Sequence, residues 1–368
     1  MNDYYKMGCD GGKRNARNVT VAFSPLKIFK IPNKILLLCC ELFKSAEIKC
    51  FLRTVIASKR HFPQSKNLKL QVNTCGKVNI VFVRNSFGGI TDWFKGMVSL
   101  FDFCDRKKYD FKIYAKDKFD FNRFFVPNSY NWQMSDSEYE NAENGLGAIH
   151  LWLSESGVKG SEMWIEQQYV LNKICRTNKV SNVFIHSVAP YGLPTFGKRF
   201  KELFKMTPYL NSVVEPMQKM LTPYMAVAFR FVNLLGDSDE SVAGIDPIDK
   251  EEQINLVNGC IDELNGLIEK NANLNVLITT DSFRFLSCID RDPVLKEKVN
   301  YLVGDKIHHH IGFSNEVTDV GITKSYAEFM LISVAEKVYQ IQIGSMYESK
   351  FPKWAASING RPYRIISK

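Results

Sequence analysis

The most constraining feature of this sequence is an alternation of short apolar segments with amphipathic helical segments, which begins at Val78. Two of the helical segments, Glu251–Glu269 and Thr323–Lys337, repeat apolar residues at the spacing of one helix face. The alternation predicts βαβ units, parallel sheets and an α/β fold. The predicted strands are Val78–Val83, Phe111–Ala115, Asn182–Ser187, Met225–Phe231, Asn275–Thr280 and Val338–Gly344.

The length of 368 residues predicts more than one domain, because single hydrophobic cores rarely serve chains this long. Pro208, Pro216 and Pro223 interrupt the pattern near the middle of the alternating region. We therefore predict an N-terminal arm with a helix at 1–75, and two domains at 76–215 and 216–368.

Positive charge is concentrated in the N-terminal arm. Residues 1–70 hold 14 lysines and arginines against four acidic residues, a net charge of +10, whereas the whole chain carries +9. Such an arm favours contact with an anionic membrane surface, or it is a solvated basic face. Nucleic acid is not expected as a partner, because no recognised binding motif accompanies the charge. Residues 34–58 have helical spacing and would either pack on the body or lie on a membrane.

The cysteine pattern and the apolar runs bear on location. The chain has nine cysteines without a Cys-x-x-Cys pair, which favours reduced thiols over disulfides or a zinc site. No apolar run approaches the roughly 18 residues needed to cross a bilayer. We expect a cytoplasmic protein, with peripheral binding at the inner membrane face as a second option.

Parallel sheets bind ligands at the carboxyl ends of their strands, so the residues at those positions are the first candidates. Gly88 and Gly89 follow the first strand and could let the backbone approach a phosphate, although the turn lacks the Gly-Lys-Ser/Thr ending of a P-loop. Arg230 lies at the end of an apolar strand, where its planar guanidinium would bind a diphosphate or form a structural ion pair.

Two more strand ends carry polar residues. Asp281 and Ser282 follow Asn275–Thr280, where they would contact a nucleobase or ribose, or only cap a helix. Ser345, Ser349 and Phe351 follow the last predicted strand, where hydroxyl and N–H groups ahead of a helix would bind an anion or form a plain cap.

The order of these motifs resembles the fucosyltransferase-like glycosyltransferases of the GT-B fold, which include α-1,2-fucosyltransferases and protein O-fucosyltransferases. The segment from Phe87 to Gly96 resembles the family's opening Gly-Gly turn, with Asp92 and Lys95 in matching places. Thr280 and Asp281 match a later strand that ends in Thr-Asp.

Other parts of the pattern depart from the family. The central His-x-Arg-Arg-Gly-Asp signature is reduced to Arg230, because Ala228 replaces the histidine and Phe231 replaces the second arginine. The Gly-Asp that ends the signature is matched by Gly236 and Asp237, later in the chain than in the family. The final Lys-x-x-x-Asp-Phe element is matched from Lys324 onward, with Glu328 in place of the aspartate.

The resemblance implies two Rossmann-like domains that face a cleft, with the acceptor site in 76–215 and the nucleotide-sugar site in 216–368. It implies an inverting, metal-independent transfer of fucose from GDP-fucose to a glycan acceptor, without a further cofactor, in bacterial surface polysaccharide biosynthesis. Arg230 would contact the donor diphosphate, and Asp92 and Asp237 are the candidates for a catalytic carboxylate. The donor site would further include Gly88, Gly89, Asp281, Ser282, Ser345, Ser349 and Phe351.

The alternatives are a polysaccharide pyruvyl transferase, another α/β transferase, or a non-catalytic nucleotide- or glycan-binding relative. One geometric expectation is specific: the Gly-Gly turn should close the donor site opposite Arg230. The aromatic segment Asp117–Trp132 would either stack on acceptor sugars or belong to the core.

Overall fold

A computed structural model describes residues 31–42, 46–62, 78–84, 89–115, 121–153, 161–177, 180–187, 194–237, 245–303 and 319–368. Its helices are α1 Asn33–Leu42, α2 Ala46–His61, α3 Ile90–Lys107, α4 Asp136–Asn144, α5 Ser161–Cys175, α6 Phe196–Leu203, α7 Pro208–Leu221, α8 Lys250–Lys270, α9 Phe283–Arg291, α10 Pro293–Lys298, α11 Asp319–Val334 and α12 Phe351–Ile358. Its strands are β1 Asn79–Val83, β2 Asp110–Tyr114, β3 Phe125–Pro127, β4 Ala148–Trp152, β5 Asn182–Ser187, β6 Phe204–Met206, β7 Tyr224–Phe229, β8 Asn275–Thr280, β9 Val299–Asn300, β10 Lys337–Gln342 and β11 Tyr363–Ser367.

Two parallel sheets organise the molecule, which confirms the predicted α/β class. The first sheet has the order β2-β1-β5-β4 and the second has the order β11-β10-β7-β8-β9. All six predicted strands are present, and those at 182–187 and 275–280 keep their predicted bounds. The central strand β7 is buried along its whole length, as expected when helices cover both faces of a parallel sheet.

The proline-rich segment between the sheets is a helix and not a break. Thr207 caps α7, Pro208 occupies its first turn, and the helix continues through Pro216 to Leu221. Proline is well tolerated in a first helical turn, where its missing N–H has no intrahelical partner. The predicted domain limit at 215/216 therefore lies inside α7, and the domain limits themselves stay a prediction.

The N-terminal helical segment packs on the first sheet. The predicted 34–58 helix corresponds to two helices, and α2 contacts β4 and α5. Cys50, Phe51 and Val55 of α2 are buried in the main hydrophobic core. Of the two options given by the spacing, packing on the body is thus confirmed for α2. None of the described helices has the length and apolar character required to span a membrane.

We call the part of the chain through α7 the first half and the part from β7 onward the second half. The main hydrophobic core contains side chains from both halves. The ring of Phe94 from α3 stacks on Phe329 from α11, with centroids 5.1 Å apart. Gly197 of α6 lies against the end of α12, where an added Cβ would be only 2.4 Å from the carbonyl oxygen of Ser357. These contacts set the two sheets at a fixed separation.

The aromatic segment that could have stacked on sugars is part of this core. Phe121, Phe124, Phe125 and Trp132 are almost completely buried, and the indole N–H of Trp132 donates to the carbonyl oxygen of Leu203. The sugar-stacking interpretation is therefore wrong for these four residues. Phe119 lies outside the described residues.

Candidate active site

A cleft of about 280 Å³ lies between the two sheets and receives residues from both halves. It is lined by Gly89, Ile90, Thr91, Asp92, Ala228, Phe229, Arg230, Thr279, Thr280, Asp281, Lys324, Ser325, Glu328, Gln340, Tyr347, Ser349, Lys350, Phe351 and Pro352. The structure thus brings Gly89 and Arg230 to the same cleft from different halves. That this cleft is the donor site stays a prediction. Gly88 lies outside the described residues.

The first half contributes the beginning of α3. Gly89 is the N-cap residue and, as a glycine, provides no side-chain cap for the first-turn N–H groups. Its backbone angles, φ −79° and ψ 162°, are open to any residue, so the conformation at this position does not require glycine. The N–H groups at a helix N-terminus and the positive end of the helix dipole favour an anion at this wall of the cleft.

Asp92 is the acidic residue of that first turn. Its carboxylate pairs with the Lys95 ammonium at 2.6 Å, and 56% of its side chain is exposed. The pair fixes the carboxylate at the rim of the cleft while leaving it open to solvent or a ligand. Asp92 therefore occupies a position from which it could contact an incoming hydroxyl group.

Arg230 and Asp281 form the floor of the cleft on the second half. Arg230 follows β7, and its Nη1 lies 3.1 Å from Oδ2 of Asp281. Asp281 also accepts hydrogen bonds from the N–H groups of Phe231 and Val232, at 2.9 and 2.8 Å. Val232 has a left-handed backbone, φ 59°, which is costly for a β-branched residue. Asp281 thus stabilises the strained turn that positions Arg230.

Arg230 is paired with Asp281, and part of its side chain is still exposed. The Arg230 side chain remains 28% exposed, whereas that of Asp281 is 8% exposed. The structural ion pair expected for Arg230 is present, and the guanidinium also lines the cleft, whereas its binding of a diphosphate stays a prediction. A planar, cationic guanidinium in this position suits a phosphate.

Ser282 and Asp237 lie apart from the cleft-lining residues. The Ser282 hydroxyl donates to Oδ2 of Asp237 at 2.9 Å and accepts from the N–H of Phe285, so it caps α9. The same oxygen of Asp237 accepts from the N–H of Arg284. The helix-cap interpretation describes Ser282, and Asp237 acts with it in that cap. Ser345 is exposed in the turn after β10 and does not line the cleft either.

A second helix begins at the cleft. Lys350 is the N-cap residue of α12 without a side-chain cap bond, and the N–H of Phe351 donates to the Ser349 hydroxyl at 3.2 Å. The Gln340 side-chain amide lies against this turn, since its two polar atoms are 2.7 Å from the carbonyl oxygen and 2.8 Å from the backbone nitrogen of Ser349. The N-termini of α3 and α12 thus both lie at the cleft.

Lys324 and Glu328 are cleft residues absent from the predicted site. They lie one turn apart on α11, their charged atoms are 3.7 Å apart, and their side chains are 9% and 11% exposed. Burial raises the pKa of Glu328 to about 7; Lys324 opposes this shift and the nearby Asp281 adds to it. The available signal was a lysine and a glutamate, four residues apart, inside an otherwise apolar helix.

Within the described ranges, no group of three or more His, Cys, Asp or Glu side chains could hold a metal ion. The cleft instead combines three cationic side chains, of Arg230, Lys324 and Lys350, with two helix N-termini. This arrangement can bind a phosphate-bearing ligand through N–H donors.

No protein-family model and no curated protein matches the chain. Among solved structures it is similar to a mutant of FUT1 from Arabidopsis thaliana in complex with GDP, at 12% identity and a TM-score of 0.50, over 93% of this chain and 78% of that one. The NodZ α-1,6-fucosyltransferase soaked with GDP-fucose matches at 13% identity and a TM-score of 0.48, over 77% and 93%. POFUT1 in complex with GDP-fucose matches at 10% identity and a TM-score of 0.47, over 80% and 99%. The chain therefore has the GT-B fold that it shares with the FUT1 structure, as the order of its motifs predicted.

Proposed function

We propose that this protein is an inverting, metal-independent glycosyltransferase that moves fucose from GDP-fucose to a glycan acceptor. The observation that carries the proposal is the position of Arg230, which faces a cleft where the N-termini of α3 and α12 converge. A planar cation beside the positive ends of two helices suits a diphosphate.

The leaving group sets the main chemical demand. When the bond between the anomeric carbon and the diphosphate oxygen breaks, the electron pair stays on the diphosphate, whose charge must be stabilised. Arg230 and the first-turn N–H groups supply fixed positive partners, which are worth most in a site that excludes water. Without a metal, these groups carry the whole of that stabilisation.

Glu328 is our candidate partner for the base of the donor. An ionised carboxylate is an acceptor-only group, so it selects ligands that present N–H donors. The edge of guanine offers two adjacent N–H donors, whereas uracil offers one N–H between two carbonyl oxygens. Glu328, lining the cleft beside Lys324, thus favours GDP over UDP as the donor nucleotide.

Asp92 is our candidate for the general base. It lines the cleft from the first half, whereas Arg230 lines it from the second half. A carboxylate there would take the proton of the acceptor hydroxyl as its oxygen attacks the anomeric carbon. Attack from the wall opposite the leaving diphosphate inverts the configuration at that carbon. The proposed role in surface polysaccharide synthesis rests on the sequence resemblance.

The test is an assay of donor hydrolysis and of transfer with GDP-fucose, GDP-mannose and UDP-glucose. We expect activity with GDP-fucose, and a loss of about 10²-fold or more in Arg230→Ala, the size seen when one oxyanion donor is removed. Arg364→Ala, an exposed arginine on β11, is the matched control and should keep full activity. Near-normal transfer by Arg230→Ala would exclude the proposed role of this residue.

One observation favours a second function, that of a nucleotide-binding protein without transferase activity. Ala228 lines the cleft at the position where the resembled motif has a histidine, so the end of β7 offers no acid–base side chain. Binding of GDP in a thermal-shift measurement, with no turnover of any of the three donors, would support this second function.

A further inference from the structure

A groove of about 750 Å³ lies on the first sheet, at the amino ends of its strands. Asn79, Asp110 and Asn182, the first residues of β1, β2 and β5, all line it. The cleft lies beyond the other end of β1, where Gly89 follows the strand. The groove and the cleft share no lining residue, so the groove is a separate cavity.

The groove forms because α4 covers only part of one face of this sheet. Ile80 of β1 is buried in the main core, whereas the next residue, Val81, belongs to a small cluster on the opposite face. On that face Tyr139 of α4 stacks on Tyr114, the last residue of β2, with ring centroids 3.9 Å apart. The nine residues of α4 extend over only about 13 Å, which leaves the amino ends of the strands open to the groove.

The open part of this face carries a row of polar side chains. Asn79 lies between Asp110 and Asn182 in the register of the three adjacent strands. Neighbouring strands are about 4.8 Å apart, so the row is about 10 Å long. Parallel strands that are covered on both faces usually carry apolar residues at such positions. The polar row thus distinguishes the floor of the groove from the rest of the sheet.

Hydrogen bonds fix the amides of this row. The Asn182 side chain is only 8% exposed, and its Oδ1 accepts from Nδ2 of Asn79 at 3.0 Å. Its own Nδ2 donates to the carbonyl oxygen of Ala142 on α4 at 3.3 Å. Among the described residues, Asn79 makes no other side-chain hydrogen bond. Its Oδ1 and its second N–H are therefore held in place and can serve a ligand.

Tyr130 and Lys112 fix another wall of the groove. The Tyr130 hydroxyl accepts from the N–H of Phe111 at 2.9 Å and donates to the carbonyl oxygen of the same residue at 3.0 Å. The Lys112 ammonium donates to the carbonyl oxygens of Asn131 and Gln133, at 3.2 and 3.1 Å. Tyr130 belongs to the aromatic segment that could stack on sugars, and its half-buried side chain lines the groove.

We propose that this groove binds a neutral saccharide. A sugar hydroxyl both donates and accepts, as do the amides of Asn79 and Asn141, and the carboxylates of Asp110 and Glu138 accept from such hydroxyls. The Tyr130 ring adds an apolar surface for the C–H groups of a sugar ring. The volume is within the range of about 300–1,000 Å³ that is usual for small-molecule sites.

The same residues argue against two other ligands. Two carboxylates line the groove against one ammonium, that of Lys112, which already binds two carbonyl oxygens, so a phosphate-bearing ligand would be repelled. A peptide that adds as a strand needs a free sheet edge, and Ile113 on the outer edge of β2 already bridges to Gln133. The proposal does not rest on the glycosyl transfer proposed for the cleft.

The experiment is retention of the full-length protein on an array of neutral oligosaccharides and heparin oligosaccharides, without nucleotide. Calorimetric titration with the best neutral oligosaccharide follows. We expect neutral sugars to be bound and heparin fragments not. Asp110→Ala should weaken binding roughly tenfold or more, because it removes a charged acceptor. Asn141→Trp, at an exposed position of α4 in the groove, should abolish binding by filling the cavity.

The matched controls are Glu140→Trp, exposed on the same helix but outside the groove, and Asp262→Ala, exposed on α8. Both should bind as the wild type does, and thermal unfolding checks that each variant is folded. Retention of no neutral oligosaccharide by the wild type would overturn the proposal, as would stronger retention of heparin fragments. So would wild-type affinity in folded Asn141→Trp or in Asp110→Ala. Because no nucleotide is present, failure of glycosyl transfer in the cleft would leave these results unchanged.

Discussion

The two halves line the cleft with different kinds of chemical group. Among the described residues, the first half lines the cleft mainly with the backbone of the first turn of α3, which begins after Gly89. Asp92 is the one acidic side chain there. The second half offers buried or half-buried charged side chains, of Arg230, Asp281, Lys324 and Glu328, held by ion pairs on strands and on a helix.

This difference shows how the two halves divide the chemistry. A wall made of backbone N–H groups accepts an anion without depending on the residue type at each position. A wall of buried charges depends on every member, because the loss of one leaves its partner unpaired in a dry site. We therefore expect donor binding to depend on second-half side chains and the transfer step on Asp92.

The largest expected effect separates these two roles. Arg230→Ala should weaken GDP binding by roughly 10- to 100-fold, since it removes a charged hydrogen-bond donor. Asp92→Asn should leave GDP binding unchanged while it lowers the rate of transfer. Isothermal titration with GDP, beside the transfer assay, measures both. Equal weakening of GDP binding by the two variants would show that the two halves do not divide donor binding and transfer between them.

The next effect tests whether the halves are held at a fixed distance. Gly197→Ala places a Cβ about 2.4 Å from the Ser357 oxygen across the contact between α6 and α12, so the halves must move apart. We expect a loss of about 1–3 kcal/mol in the free energy of unfolding. Gly266→Ala in α8, where the added Cβ meets nothing within 4 Å, is the control. It should be neutral or stabilising by up to about 1 kcal/mol. Equal stability of the two variants would show that the halves can separate freely.

The third prediction concerns Glu328 in the second half and the dependence of GDP affinity on pH. The pKa of Glu328 is raised to about 7, so the carboxylate is ionised above that pH and protonated below it. If the ionised form accepts the N–H donors of guanine, GDP affinity should fall by about tenfold for each pH unit below 7. Glu328→Gln should bind more weakly and lose this dependence. A wild-type affinity that is flat between about pH 5.5 and 8 would exclude Glu328 from base recognition.

The smallest effect belongs to the first half, away from the cleft. Nδ1 of His150 and Nε2 of His186 lie 2.8 Å apart, and burial lowers their pKa values to about 4 and about 3. The unfolded chain takes up protons below about pH 6.5, so stability is complete above that pH and is lost as the pH falls towards the folded values.

Urea unfolding measures this loss. Between about pH 7 and pH 5.5 the wild type should lose about 1 kcal/mol more stability than His186→Gln, which keeps a hydrogen-bonding group without titrating. The comparison between two proteins cancels the carboxylates that titrate in the same range. An identical pH dependence in both would show that the buried pair does not control acid stability.

Much of the fold and part of the site could be predicted from local patterns. The strands at 182–187 and 275–280 were predicted with their observed bounds, because apolar runs of that length between turns are a local signal. Arg230 and Asp281 were predicted at the cleft because parallel strands present their carboxyl ends along one edge. Lys324 and Glu328 were matched to the family's final element but were not predicted at the cleft, because a charged pair on a helix is usually solvated and its burial depends on neighbouring elements.

The sequence by itself determined the alternation of strands and helices, the two parallel sheets and the residues at the strand ends, since each depends on periodicity over a few residues. The tertiary structure alone decided which of those residues meet. It placed Asp237 and Ser282 in the cap of α9 and brought Gly89 to the cleft of Arg230, although about 140 residues separate them in the chain. It also buried Glu328, whose pKa depends on its distance from water and from Lys324. Desolvation and packing act between distant segments, so no local pattern encodes them.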